Sequence, residues 1–242
     1  MDYSYLGSGK VYLEEVGGST GLLEVGNVSS LSFVVNEETK ELRDYTQPGG
    51  GTYNEVRRIA SVELQMTGHD FSPANLARVL YGSTSALVTT AVTNEVKAVV
   101  AKGTFIATSK PATSITAVTG PSSTPVYTAG TDYEVRAGGI FIPTTSTIAI
   151  GNIEIDYTPM AGDMVEALTS SGKEYRMVFG GLNEARSGKA TIIEVYRARI
   201  GAARNLGFVG DEYGALEVTG KVIKDSSKVG GISQYFRIAI AS

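Results

Sequence analysis

Residues 28–68 read VSSLSFVVNEETKELRDYTQPGGGTYNEVRRIASVELQMTG. Leu31, Phe33 and Val35 alternate with other residues, and so do Val62, Leu64 and Met66. Successive side chains of a strand point to opposite faces, so this spacing predicts two half-buried antiparallel strands, roughly 28–46 and 53–68. The run Gln47-Pro48-Gly49-Gly50-Gly51-Thr52 is the expected turn. With the turn centred on Gly49 and Gly50, Phe33 pairs with Met66, Val35 with Leu64 and Glu41 with Arg58. That face changes from apolar to ionic along its own length. The expectation is a hairpin whose base lies in a core and whose tip projects beyond it. A lone two-stranded ribbon is marginal in water, which points to a neighbouring subunit as its cover. The candidate contact residues are Glu37, Glu38, Glu41, Arg43, Pro48, Gly49, Gly50, Gly51, Tyr53, Arg57 and Arg58.

Period-2 alternation recurs in Leu216-Glu217-Val218-Thr219, in Tyr175-Arg176-Met177-Val178-Phe179 and in Phe236-Arg237-Ile238-Ala239-Ile240. The fold class expected is therefore mainly β, an antiparallel barrel or sandwich. One short α-helix is predicted at about 72–81, with Ser72 as N-cap, Pro73 in the first turn, Gly82 in the left-handed position past its end, and Leu76, Val79 and Leu80 on one face. Residues 103–160 differ in composition. They hold five of the seven prolines (Pro111, Pro121, Pro125, Pro143, Pro159) and only six charged residues among 58. Strand-like pieces at Ser114–Val118, Tyr133–Arg136, Ile140–Ile142 and Ile148–Tyr157 make this a small inserted β domain. The expected division is 1–102 plus 161–242 for the main domain and 103–160 for the insertion.

The chain of 242 residues has no Cys, no Trp and one His. That excludes a disulfide scaffold, a thiolate nucleophile and any site needing two imidazoles. Gly7-Ser8-Gly9-Lys10 and Gly188-Lys189 each lack the upstream Gly and the following Ser or Thr of a phosphate loop. His69 and Asp70 are adjacent on an extended segment and face apart, so they do not make a His–Asp pair. Asp70 is expected at the strand-to-helix corner and His69 in a turn. The pairs Asp132/Glu134 and Glu154/Asp156 each share a strand face; a solvated face is the expectation, with calcium the alternative. No catalytic residue, cofactor or metal is expected, and the chain is not expected to be an enzyme. The longest uncharged stretches, Pro111–Thr131 and Ala137–Ile153, are rich in Thr, Ser, Gly or Pro, so no membrane partner is expected. A formal charge of −4 argues against a dedicated nucleic-acid binder.

Residues 25–82 resemble the N-terminal half of bacteriophage tail tube proteins. The resemblance rests on the corner Gly26-Asn27, a long strand ending in Glu37-Glu38-Thr39-Lys40, the Gly-rich loop, a basic return strand, and the Asp70-Phe71-Ser72 to Leu76-Ala77 helix. Tyr175–Arg199 and Ala215–Asp225 are similar to that family's second half, and 103–160 to the small β domains appended to tail proteins. The resemblance implies a homohexameric ring stacked into a hollow tube, assembled in the host cytoplasm and located in the virion tail. It implies tape-measure, tail-terminator and baseplate or tip proteins as partners, with DNA passing through the bore unbound. Six copies at −4 would give 6 × −4 = −24 per ring, and Glu63 and Glu217, opposite the apolar face of their strands, are the candidate bore-facing acids. Two alternatives stay open: a β-sandwich module binding a receptor or carbohydrate, and the tube of a contractile tail.

Overall fold

The computed structural model describes residues 4–241. The chain is mainly β, with antiparallel sheets and a single α-helix. It divides into two compact units, residues 1–84 with 165–242, and residues 85–164.

The first unit begins with β1 (Gly7–Glu15), β2 (Leu23–Glu24), β3 (Val28–Arg43), β4 (Thr52–Gly68) and α1 (Pro73–Val79). After residues 85–164 the chain returns as β13 (Glu174–Asn183), β14 (Lys189–Ile200), β15 (Leu216–Val222) and β16 (Phe236–Ile240). These strands form one sheet in the order β2-β1-β13-β14-β15-β4-β3, with β16 also on β14. The sheet curls around its core, and Phe33 of β3 stacks on Phe236 of β16 at 5.1 Å. Among the described residues it does not close into a barrel: β2, β3 and the branch strand β16 each pair on one side only. Val11, Leu13, Val62, Leu64, Met66, Met177, Val195 and Val218 fill the core from one face. Burying a side chain such as Leu64, 2% exposed, contributes roughly 2–3 kcal/mol.

Helix α1 covers one part of that core through Val79, Leu76 and Leu80. The Ser72 hydroxyl accepts from the Asn75 amide at 3.4 Å, and the Asp70 carboxylate accepts from the Ser72 amide at 2.9 Å. The helix ends two residues earlier than its periodicity suggests. Tyr81, not Gly82, takes the left-handed conformation, with φ of 51°. Gly82 answers a different demand: a Cβ there would lie 2.4 Å from the Glu166 carbonyl oxygen.

The second unit holds β6 (Val92–Val99), β7 (Thr104–Ala107), β8 (Ala112–Thr119), β9 (Glu134–Arg136), β10 (Gly139–Ile142) and β11 (Gly151–Pro159). Two three-stranded antiparallel sheets, β7-β10-β9 and β6-β11-β8, share a core that includes Val118, Ile140, Ile142, Ile155 and Tyr157. This unit begins at 85 rather than 103, because β6 pairs with β11, far along the chain, and not with the main sheet. The connecting strands β5 (Ser83–Ala86) and β12 (Asp163–Glu166) pair with each other.

Candidate assembly interface

The β3–β4 hairpin has two parts. At its base, Leu31 pairs with Met66, Phe33 with Leu64 and Val35 with Val62. This register differs by two residues from the one the Gly-rich run suggests. The physical reason lies at Asp44: its carboxylate accepts from the Thr46 amide at 2.7 Å and the Thr46 hydroxyl at 2.6 Å, which ends the strand early. The Asp44 amide then bonds the Gly51 carbonyl at 2.7 Å, so the loop is 44–51. A shift of two leaves the faces unchanged at the base. A bulge between Asn36 and Glu37, opposite Ala60, changes the pairing parity beyond it.

Outside that bulge, every residue of Glu37–Arg43 and Thr52–Ala60 is exposed. Seven β3 residues at about 3.4 Å each make an arm about 24 Å long. Glu38 faces Arg58, Glu37 faces Ile59 and Arg43 faces Thr52. Glu41 faces Glu55, not Arg58; like charges directly opposite weaken the pair. Arg57 pairs with Glu55, and Lys40 with Glu38 at 3.6 Å. Arg58 and Arg43 make no ion pair among the described residues. Apolar side chains lie bare between these charges: Leu42 and Val56, Ile59 at 54% exposure and Tyr53 at 69%. Pro48, Gly49, Gly50 and Gly51 form the tip, where the Gly50 amide bonds the Gln47 carbonyl at 3.3 Å.

Glu63 and Glu217 both lie on the sheet face away from the core. Glu63 sits opposite Lys221 and accepts from the Asn36 amide group at 3.0 Å, while Glu217 sits opposite Thr67. That face carries as many basic groups as acids in alternation, and sequence reading by single strands missed the ladder they form. Arg176 of β13 bridges Glu14 of β1 at 3.3 Å and Glu194 of β14 at 2.6 Å, and Glu194 also holds Arg237 of β16. Glu174 pairs with Arg197 and with Arg199, the latter at 2.8 Å. Burial pushes the Glu194 carboxyl up, but hydrogen bonds from Arg176 and Arg237 overcome it and hold the pKa below the ordinary value. The signal was present in sequence: Glu174 and Arg176, and Arg197 and Arg199, occupy the positions between core residues.

The remaining candidate chemistry resolves into structural roles. Gly7–Lys10 lies within β1, paired to β13, and Lys10 bonds Glu24 at 3.0 Å. His69 ties two segments together, its Nδ1 lying 3.1 Å from the Gly214 carbonyl and its Nε2 2.9 Å from the Ser29 hydroxyl. Glu134 lies on an exposed strand, as expected, whereas Asp132, Glu154 and Asp156 are tied to backbone amides rather than lying on a solvated face. Asp132 accepts from the Thr128 amide at 2.8 Å and the Thr147 hydroxyl at 2.6 Å, Glu154 accepts from the Ser122 and Ser123 amides at 3.0 Å each, and Asp156 accepts from the Asn94 amide at 2.6 Å. Glu134 pairs with Arg136 at 2.8 Å. Among the described residues no group of three or more His, Asp or Glu is placed to hold a metal ion, and no helix is long and apolar enough to cross a membrane.

The class so defined is a mainly β protein with an exposed two-stranded arm and a separate small β unit. The chain belongs to the family described as protein of unknown function UCP028589, matched over residues 4–239. No curated protein matches it.

Proposed function

We propose that this chain is a structural subunit that assembles with copies of itself, of the bacteriophage tail tube kind. Stacked hexameric rings would form a hollow virion tail tube, assembled in the host cytoplasm, through which DNA passes without specific binding. Tape-measure, terminator and baseplate or tip proteins would be its other partners, and it would have no catalytic role. The observation that carries the reading is the arm. Both of its strands are solvent-exposed from Glu37 to Arg43 and from Thr52 to Ala60, with Leu42, Tyr53, Val56 and Ile59 uncovered. Such a ribbon gains its stability from a partner surface. The open sheet edges give the same argument, since ring formation covers edges. A bore built from the non-core face would be a balanced ionic lattice that includes Glu63 and Glu217, which gives DNA no continuous basic track. Electron microscopy and mass photometry of the full-length protein test this. Rings or tubes are expected, and their loss on shortening the arm; discrete monomers under all conditions, including inside virions, would overturn it.

A second reading concerns the small unit. Phe105 and Phe141 pair across β7 and β10, and the Arg136 guanidinium sits 3.8 Å from the Phe141 ring centre. Phe105 is exposed. This aromatic pair favours a receptor- or carbohydrate-binding role for that unit, which a glycan array with the full-length protein would test.

A further inference from the structure

The first unit contains a cleft of about 340 Å³ between α1, the end of β1 and the segment Ser170–Tyr175. Its volume falls within the range of small-ligand sites. Its walls mix apolar groups, among them Leu13, Leu23, Ala74 and Ala77, with hydroxyls and cations. The charges do not cancel. Lys173 is tied to Glu15 at 2.9 Å, so those two neutralise each other. Arg78 stands apart: its guanidinium donates to the Asn75 side-chain oxygen at 2.7 Å and makes no ion pair among the described residues. Asn75 is itself fixed, donating to the Val25 carbonyl at 2.7 Å and the Asp70 carbonyl at 3.2 Å. Burial lowers the Arg78 pKa, with the Tyr175 hydroxyl opposing that in part. Tyr175 lines the same cleft; burial and the Glu15 carboxylate raise its pKa and keep its hydroxyl a donor. Tyr81, by contrast, spends its hydroxyl on the Ile200 carbonyl at 2.9 Å.

We propose that this cleft binds a carboxylate on a short apolar stem, with Arg78 as the recognising cation and the Tyr175 hydroxyl as a second donor. A guanidinium offers parallel N–H groups that match a planar carboxylate. One uncompensated positive charge suits a monoanion; a phosphate dianion would call for a second free cation, and Lys173 is occupied. The Ala74, Ala77 and Leu13 wall takes the stem. The site stands independently of the tail tube reading.

Calorimetric titration of the full-length protein with sodium butyrate, and with butyramide as its neutral counterpart, tests the site. Butyrate is expected to bind saturably, with butyramide and the Arg78→Gln variant each weaker by about tenfold or more, as loss of a charge-assisted hydrogen bond requires. Arg78→Lys keeps the charge but not the fork, and should fall between; it also serves if Arg78→Gln fails to fold. Absence of saturable butyrate binding, equal binding of butyramide, or butyrate binding undiminished in both variants overturns the proposal. The source of the natural carboxylate is read separately. If excess butyrate and Arg78→Gln both suppress self-association, a second copy carries it; if self-association is untouched while butyrate still binds, the ligand is a free carboxylate. Failure of the protein to assemble at all would remove the tube reading and leave the titration result standing.

Discussion

Replacing Glu95 with Gln should make the small unit less stable at neutral pH but nearly as stable as the wild type in acid. Glu95 lies on β6, its side chain 13% exposed, 2.7 Å from the Lys97 ammonium. It accepts from the Ser109 amide at 3.0 Å and the Ser109 hydroxyl at 2.5 Å. Burial pushes its carboxyl up, but hydrogen bonds from Lys97, Ser109 and Tyr157 overcome that and hold the pKa at about 2, against an ordinary 4.5. A folded pKa below the unfolded one means stabilisation that is complete above about pH 4.5 and is lost as pH falls toward 2. The difference of about 2.5 units, at 1.36 kcal/mol each, sets an upper limit of about 3.4 kcal/mol. Gln keeps an acceptor for Ser109, and Lys97 is partly solvated, so about 2 kcal/mol is the expected loss at pH 7. For a unit of this size that lowers the melting temperature by about 10 °C. Differential scanning calorimetry of full-length protein at pH 7 and pH 3 reads this directly, with the transition of the larger unit as internal reference. More than half of the gap should close by pH 3. A gap of the same size at both pH values, or none at pH 7, would refute the reasoning.

Three further outcomes follow from the geometry. Leu64→Ala empties a fully buried site in the main sheet and should cost about 2–5 kcal/mol in urea unfolding. Gly9→Ala should destabilise the β1–β13 pair, because Gly9 faces Gly181 and a Cβ would lie 2.4 Å from the Gly181 Cα; weakened amide-exchange protection along β1 is the readout. Joining Asn36 to Ser61, which pair directly, through Asn-Gly in place of 37–60 should leave the melting temperature within a few degrees while abolishing self-association by mass photometry.

The sequence made the arm legible because alternation and a Gly-rich run are both local signals. It misplaced the register because a turn is set by side-chain chemistry at Asp44 and a bulge at Ala60, neither of which carries hydrophobic periodicity. Gly82 looked like a helix terminator, yet its neighbour Tyr81 does that work and Gly82 makes room for a strand 84 residues later in the chain. Strand β1 escaped notice because Gly7, Ser8 and Gly9 dilute its pattern; its partner β13 supplies the order. The domain edge at 85 depended on the distant pairing of β6 with β11. The Arg78 cleft was not legible at all, since it is assembled from three separated segments, and only the distances reveal which cation is left without a counter-charge.

The pairing of β5 with β12 has a consequence for how such a chain can change. The small unit begins and ends at neighbouring points: the Leu87 amide bonds the Gly162 carbonyl at 2.8 Å. Its ends therefore need little more than a tight turn to join them. Excising residues 88–161 and closing the gap with a two-residue turn would convert the two connectors into an ordinary hairpin. By the same geometry, any domain whose termini lie a strand spacing apart could be spliced in at that point. The fold thus carries a socket for interchangeable cargo, and surface properties can be exchanged there without redesigning the sheet that supports them.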